Sequence, residues 1–222
     1  MLHLIHKVPR NAALLLGLLL MIVALPSLPT ETPGFVVELL FDWILLSGVY
    51  SAGTGQHRRP FVLLTVTTLA VRWAAILSGA PSLDVSALFI SAVWLVGALA
   101  IIIASAFRRR DVSVDMIVGA MVTYLLAAAA FNLTYQIIEI QDPGSFSGMP
   151  EGAAQNPRQL ASIMMYFSLV CITTIGFGDI MPVSNIARPL AALEGVFGQL
   201  YLAVMIARLV GLHVAHEERK QG

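Results

Sequence analysis

The chain has little charge and almost no cysteine. Only 12% of its 222 residues are charged, against about a quarter in a soluble globular domain, and its mean hydropathy is +0.83. A soluble fold needs more charge on its water-facing surface, so the composition indicates an integral membrane protein. The single Cys171 excludes an intrachain disulfide and a cysteine-only zinc site.

Signatures of catalysis are missing as well. The sequence contains no HExxH segment, and its serines, histidines and carboxylates form no arrangement typical of a nucleophilic triad or an acid–base pair. We therefore expect a protein that is not an enzyme and has no organic cofactor. The formal net charge of zero gives no reason to expect a nucleic-acid partner, and membrane lipids are the expected surroundings.

Six apolar stretches are close to the length of about 20 residues that a bilayer-spanning helix needs. They are residues 11–29, 35–52, 61–79, 85–106, 113–138 and 187–212. A further apolar segment, residues 159–172, is too short to cross and runs into a glycine-containing motif. The predicted fold class is therefore an all-α membrane protein with six transmembrane helices and one re-entrant helix.

Basic residues are concentrated on one side of the predicted spans. Nine of the thirteen lysines and arginines fall on that side when spans are counted alternately, and only Arg158 and Arg188 fall on the other. The positive-inside rule then places both termini in the cytoplasm of a multi-pass cell-membrane protein. A cleaved signal peptide over residues 1–28 is the rival interpretation, but no clear small-residue cleavage site follows it.

The re-entrant segment begins with a strong helix start. Asn156 is a good N-cap, Pro157 suits the first helical position, and Gln159 occupies the capping-box position. The predicted helix over residues 157–172 enters from the outer face and points its C-terminal end, which is partly negative, toward the membrane centre. Such an end favours a cation over an anion.

Non-helical backbone follows at membrane depth, where it is tolerated only inside protein or along a water-filled path. Residues 174–179 read TIGFGD, and glycine allows backbone conformations that other residues avoid. Successive carbonyls can therefore point to one side and form a ladder that a cation stabilises. A tight turn between two helices is the alternative, which the capped helix before the motif and Pro182 after it disfavour.

The hexapeptide resembles the potassium-channel selectivity filter, usually TVGYGD. Thr173 before it, Pro182 after it and Arg188 at the start of the last span extend the resemblance, which covers roughly residues 112–212. It implies a potassium-selective channel for passive conduction and a homotetramer around a central pore. It also implies that K⁺ binds to the backbone carbonyls of the inner filter residues, which are Thr174, Ile175, Gly176 and Phe177. Gly178 then closes the outer mouth, and Thr173 and Asp179 support the filter.

Two positions depart from the family pattern. Phe177 lacks the hydroxyl with which a tyrosine at this position bonds to the pore helix, and Val170 stands where some members place a carboxylate behind the filter. Asp179 must then find another partner or stay hydrated. A less selective monovalent cation channel is therefore an alternative. A secondary cation transporter is a more remote one, because no inverted repeat is visible.

The resemblance divides the chain in two. Residues 1–110 resemble a voltage-sensor domain without gating charges, because the fourth span has no basic residue before Arg108. We therefore expect weak or absent voltage dependence. Residues 111–222 are the expected pore domain, with span five, pore helix 157–172, filter 173–179, span six and a short cytoplasmic tail. No cytoplasmic ligand-binding domain is expected.

A few polar or glycine residues within the predicted spans are candidates for structural or gating roles. Asp42 and Arg72 are predicted at similar depth, and pairing them offsets the cost of two charges in the membrane. Glu194 either lines the pore or steadies the pore helix from behind, the second being favoured. Gly198 is a hinge or a close-packing site, and Arg208 is a candidate gate residue that pairs with Asp115.

Overall fold

The computed structural model describes residues 9–27, 34–52, 58–78, 81–108 and 113–221. Seven α-helices and two short strands occupy these ranges. The helices are α1 (Ala12–Ser27), α2 (Gly34–Ala52), α3 (Arg58–Ser78), α4 (Pro81–Arg108), α5 (Val114–Gln141), α6 (Pro157–Ile172) and α7 (Ala187–Gln221). The strands are β1 (Phe146–Ser147) and β2 (Met181–Pro182), and a 3₁₀ turn covers Ala153–Gln155. Three of the nine basic residues counted on the cytoplasmic side lie outside the described residues, namely Lys7, Arg109 and Arg110.

Five of the described helices are long and apolar enough to cross a membrane, namely α2, α3, α4, α5 and α7. The first predicted span is shorter than expected, because α1 has 16 residues. At 1.5 Å per residue it extends about 24 Å, less than the hydrocarbon core of about 30 Å. The chain is thus a multi-pass α-helical membrane protein, while a sixth crossing stays a prediction.

The helix starts follow from local capping. The side chain of Ser113 accepts a hydrogen bond from the Met116 amide at the start of α5. Asn156 caps α6 by accepting from the Arg158 and Gln159 amides, and Pro157 occupies the first helical turn. The predicted bounds and N-cap of the 157–172 helix are therefore confirmed.

One hydrophobic core joins the first four helices to α5 and α6. Its fully buried members include Leu14 of α1, Leu45 of α2, Trp94 of α4 and Leu126 of α5, and it extends to Met165 of α6. Helix α4 packs along α5, and α1 contacts both α5 and α6. The core therefore crosses the predicted boundary at residue 110, so the two predicted units pack as one body within the chain.

The predicted ion pair between Asp42 and Arg72 is wrong. Arg72 instead binds Glu38, with 2.6 Å between Nη2 and Oε2, and its guanidinium lies 3.8 Å from the centre of the Phe41 ring. Asp42 accepts a hydrogen bond of 3.1 Å from Trp73 Nε1. Similar predicted depth along two helices does not determine which of their side chains face each other.

Candidate functional site

The backbone after α6 reverses its handedness at every second residue. φ is +59° at Thr174, +62° at Gly176 and +76° at Gly178. In an ordinary strand carbonyls alternate between two sides, whereas alternating the sign of φ turns successive peptide planes the same way. Such alternation allows the carbonyls of this segment to lie toward one side of the chain, and the two glycines adopt the positive φ that it needs.

Thr174 is the one non-glycine residue with positive φ among the described residues. Left-handed backbone costs about 1–2 kcal/mol for a residue with a Cβ. No atom lies within 4 Å of where a Cβ would stand at Gly176 or Gly178. Glycine is therefore favoured at these positions by the positive φ and not by crowding. Strain of this kind is typical of functional sites.

Hydrogen bonds hold the inner end of this segment. Tyr124 Oη donates to Ile172 O at 2.8 Å, and Thr173 Oγ1 donates to Leu169 O at 2.6 Å. Gln199 Nε2, on α7, donates to Thr174 Oγ1 at 2.9 Å. Sequence reasoning missed Gln199, although a lone amide within an apolar span was a visible signal.

Glu194 lies behind α6 and is fully buried. Tyr135 Oη of α5 donates to Oε2 at 2.6 Å, and Ser168 Oγ of α6 contacts Oε1. Ser168 Oγ also lies 2.8 Å from Ala128 O. The carboxyl therefore links α5 and α6 to its own helix, α7, and its role beside a pore stays a prediction.

The outer end has a support that replaces the missing carboxylate. Val170 is buried and offers no polar group, but Tyr166, one turn earlier on α6, donates from Oη to Asp179 Oδ2 at 2.7 Å. The Phe177 ring stacks nearly parallel to that of Tyr166, with the ring planes 3° apart and the centroids at 6.4 Å. Tyr166 thus supplies the hydroxyl that Phe177 lacks, at a different position.

The loop between α5 and α6 is closely fitted to the motif. Strand β1 pairs antiparallel with β2, Phe146 opposite Pro182. A Cβ at Gly148, where φ is +86°, would lie 1.8 Å from the carbonyl oxygen of Asp179. Buried Glu139 accepts from the Gly144 amide at 2.8 Å and from the Phe146 amide at 3.1 Å. The motif is therefore supported on its outer side by backbone contacts that the sequence did not predict.

Gly198 is a close-packing position. A Cβ there would lie 2.0 Å from the carbonyl oxygen of Ile172, the last residue of α6. Among the inner polar residues, Asp115 Oδ1 accepts from the Asn11 amide at 3.2 Å. The suggested pairing of Arg208 with Asp115 stays a prediction.

Together these features define a membrane protein in which a short capped helix and an irregular, carbonyl-presenting segment lie between two long helices. Residues 121–213, about two fifths of the chain, match a protein family described as "Ion channel". The matched range contains most of α5, the whole of α6, the segment 173–179 and most of α7. The match supports ion channel function.

Two curated relatives are named Protein LctB. The protein from Bacillus caldotenax is 26% identical over 87 residues, which are 39% of this chain and 64% of that protein. The protein from Geobacillus stearothermophilus is 27% identical over 107 residues, which are 48% of this chain and 79% of that protein. No solved structure matches this chain significantly.

Proposed function

We propose that this ion channel is potassium-selective and conducts K⁺ passively through residues 174–178. The observation that carries the proposal is the positive φ at Thr174, Gly176 and Gly178. Carbonyl oxygens directed to one side can replace the hydration shell of a dehydrated K⁺. The C-terminal end of α6 carries partial negative charge and therefore also attracts a cation.

The functional unit is proposed to be a homotetramer. Residues 173–179 are exposed along one side of a single chain, Ile175 at 57% and Phe177 at 67%. One strand offers oxygens from one direction only, whereas a dehydrated ion needs them all around. Four strands about an axis meet this need, and closed rotational symmetry is usual for such assemblies.

Voltage sensing is not part of the proposal. Helix α4 carries no basic residue before Arg108 at its end, and the one arginine of α3 beyond its first turn, Arg72, is already paired with Glu38. Few charges are therefore available to move through the field. We expect open probability to change little with voltage, and both termini to be cytoplasmic on the positive-inside argument.

A less selective cation channel is the second candidate. Phe177 is braced by ring stacking on Tyr166 and has no hydroxyl of its own to bond. A filter held by stacking is more compliant than one held by directional hydrogen bonds, and a compliant filter also accepts Na⁺. Reversal potentials decide between the two candidates: a value near zero in equal opposing K⁺ and Na⁺ gradients identifies the unselective channel.

Recording from purified protein in planar bilayers tests the filter assignment. Gly176→Ala places a Cβ where φ is +62° and is expected to abolish or strongly reduce K⁺ current. Gly211→Ala, on α7 with no atom within 4 Å of the added carbon, is the matched control and should conduct normally. Unchanged current in Gly176→Ala or in Thr174→Ala would refute the assignment.

A further inference from the structure

A mainly apolar cavity with a few polar side chains lies between the first four helices and α5 and α6. It consists of two adjoining spaces of about 240 and 320 Å³. Both are lined by Glu38, Arg72, Leu88, Gln136 and Pro157. We call their union the Arg72 cavity. Its size is near the lower end of small-molecule sites.

A side-chain amide at the wall of this cavity lacks a partner among the described residues. Asn132 lines the cavity and is fully buried. Its Oδ1 accepts from Gln136 Nε2 at 3.0 Å, but its Nδ2 makes no hydrogen bond to any described residue. A buried donor without an acceptor lowers stability, so native proteins satisfy nearly all such groups. An acceptor inside the cavity removes that cost.

The space of about 240 Å³ is lined by two arginines, Arg72 and Arg158, and by one carboxylate, that of Glu38, whereas Asp84 lines only the other space. The charges around the first space therefore favour an acceptor of negative charge. Arg72 has five N–H groups, of which Glu38 and Ser91 engage three. The N-terminal end of α6, at Pro157, carries partial positive charge from the helix. Around these groups the walls are apolar and include Met21, Val37, Phe41, Leu88 and Leu133.

We propose that the Arg72 cavity binds the anionic oxygen head group of a membrane amphiphile. Asn132 Nδ2 and the Arg72 guanidinium donate to the head group, and the alkyl chain contacts the apolar wall and continues into the bilayer. The cavity volume accommodates a head group and the first few carbons and not a complete lipid. A fatty-acid carboxylate and a phospholipid phosphate share this chemistry. The proposal does not rest on potassium selectivity.

Binding of radiolabelled dodecanoate to delipidated, detergent-purified protein tests whether the cavity takes a fatty-acid carboxylate. Native mass spectrometry after adding phosphatidylglycerol tests whether it takes a phospholipid phosphate. We expect saturable binding of about one amphiphile per chain from at least one source. Asn132→Leu should weaken it about tenfold or more, the effect of losing a hydrogen bond to a charged acceptor. Without amphiphile, the same variant should melt near the wild-type temperature, because it removes the unpaired Nδ2 donor but also takes away the acceptor of Gln136 Nε2.

Thr134→Val is the matched control. It lies on α5 between Asn132 and Gln136, its hydroxyl bonds back to Ala130 O at 2.9 Å, and it lines neither part of the cavity. It should bind like wild type. Ala161→Leu, which fills the cavity from α6, should abolish binding independently. Unsaturable uptake from both sources, or equal affinity in Asn132→Leu, Ala161→Leu and wild type, would overturn the proposal.

Discussion

Replacing Gly198 by alanine tests the packing of α7 against the end of α6. The added Cβ would lie 2.0 Å from Ile172 O and 3.0 Å from Ile172 C. Carbon and oxygen do not approach closer than about 3 Å without repulsion, so the backbones must separate by about 1 Å. No flexible side chain can yield in their place, because the oxygen belongs to the α6 backbone. That oxygen also accepts the hydroxyl of Tyr124.

The expected cost follows from two opposing terms. Overpacking a close contact costs about 1–3 kcal/mol, or more when backbone must move. Alanine gains about 1 kcal/mol over glycine in a helix interior. Because backbone must move here, the upper end of that range applies, and the net loss for Gly198→Ala is about 2 kcal/mol. For a chain of this size, such a loss lowers the melting temperature by about 4–8 °C.

Two other glycines of α7 provide controls, because their replacement by alanine is expected to raise the melting temperature or leave it unchanged. A Cβ at Gly195 would make only ordinary contacts, the nearest at 3.6 Å, and one at Gly211 would meet nothing within 4 Å. Both alanine variants gain helix propensity and should melt at or above the wild-type temperature in detergent. A Gly198→Ala protein that melts as high as Gly195→Ala would refute the close-packing role.

Three further predictions concern side-chain partners. Glu194→Gln should melt like wild type, because an amide offers a donor and an acceptor to its two hydroxyl partners. Glu194→Leu leaves the buried Tyr135 hydroxyl without an acceptor, while Ser168 keeps Ala128 O, and it should lose about 2 kcal/mol. Tyr166→Phe removes the hydrogen bond to Asp179 and should shorten single-channel open times about fivefold, the effect of about 1 kcal/mol. Glu38→Gln leaves the charge of Arg72, whose side chain is 10% exposed, without its counter-ion and should cost about 3 kcal/mol in thermal unfolding.

Each of these three predictions has an outcome that would contradict it. Equal melting of the Gln and Leu variants at Glu194 would show that the buried hydrogen bonds contribute little. Tyr166→Phe retains the ring that stacks on Phe177, so unchanged open times would remove the role assigned to the hydroxyl. Asp42→Asn keeps an acceptor for Trp73 and should be mild; a loss as large as that of Glu38→Gln would argue against the observed choice of partner.

Features that depend on neighbouring residues were predictable. The Asn156 cap bonds amides only two and three residues away, so the start of α6 could be predicted from the four residues 156–159. The apolar runs of α2 and α3 likewise appear within three residues of their predicted bounds. The glycines at 176 and 178 do have positive φ, because an alternating backbone needs residues without a Cβ.

Side-chain partners were not predictable in the same way. Tyr166 bonds Asp179 across 13 residues, Gln199 bonds Thr174 across 25, and Tyr135 bonds Glu194 across 59. Similar depth in the membrane suggested that Arg72 pairs with Asp42. Its partner is instead Glu38, which lies on α2 one turn before Asp42. Thr174 itself adopts positive φ, which no propensity of threonine suggests.

The sequence by itself determined a multi-pass membrane protein, the short capped helix after Asn156 and the unusual backbone that follows it. These depend on hydropathy, capping and the missing Cβ of glycine, all of which act locally along the chain. Only the tertiary structure decided that Gly198 contacts backbone, that Glu194 braces α6 and that Arg72 faces Glu38. The rotation of each helix about its axis results from packing all the helices together, and hydropathy along one chain specifies depth but not that rotation.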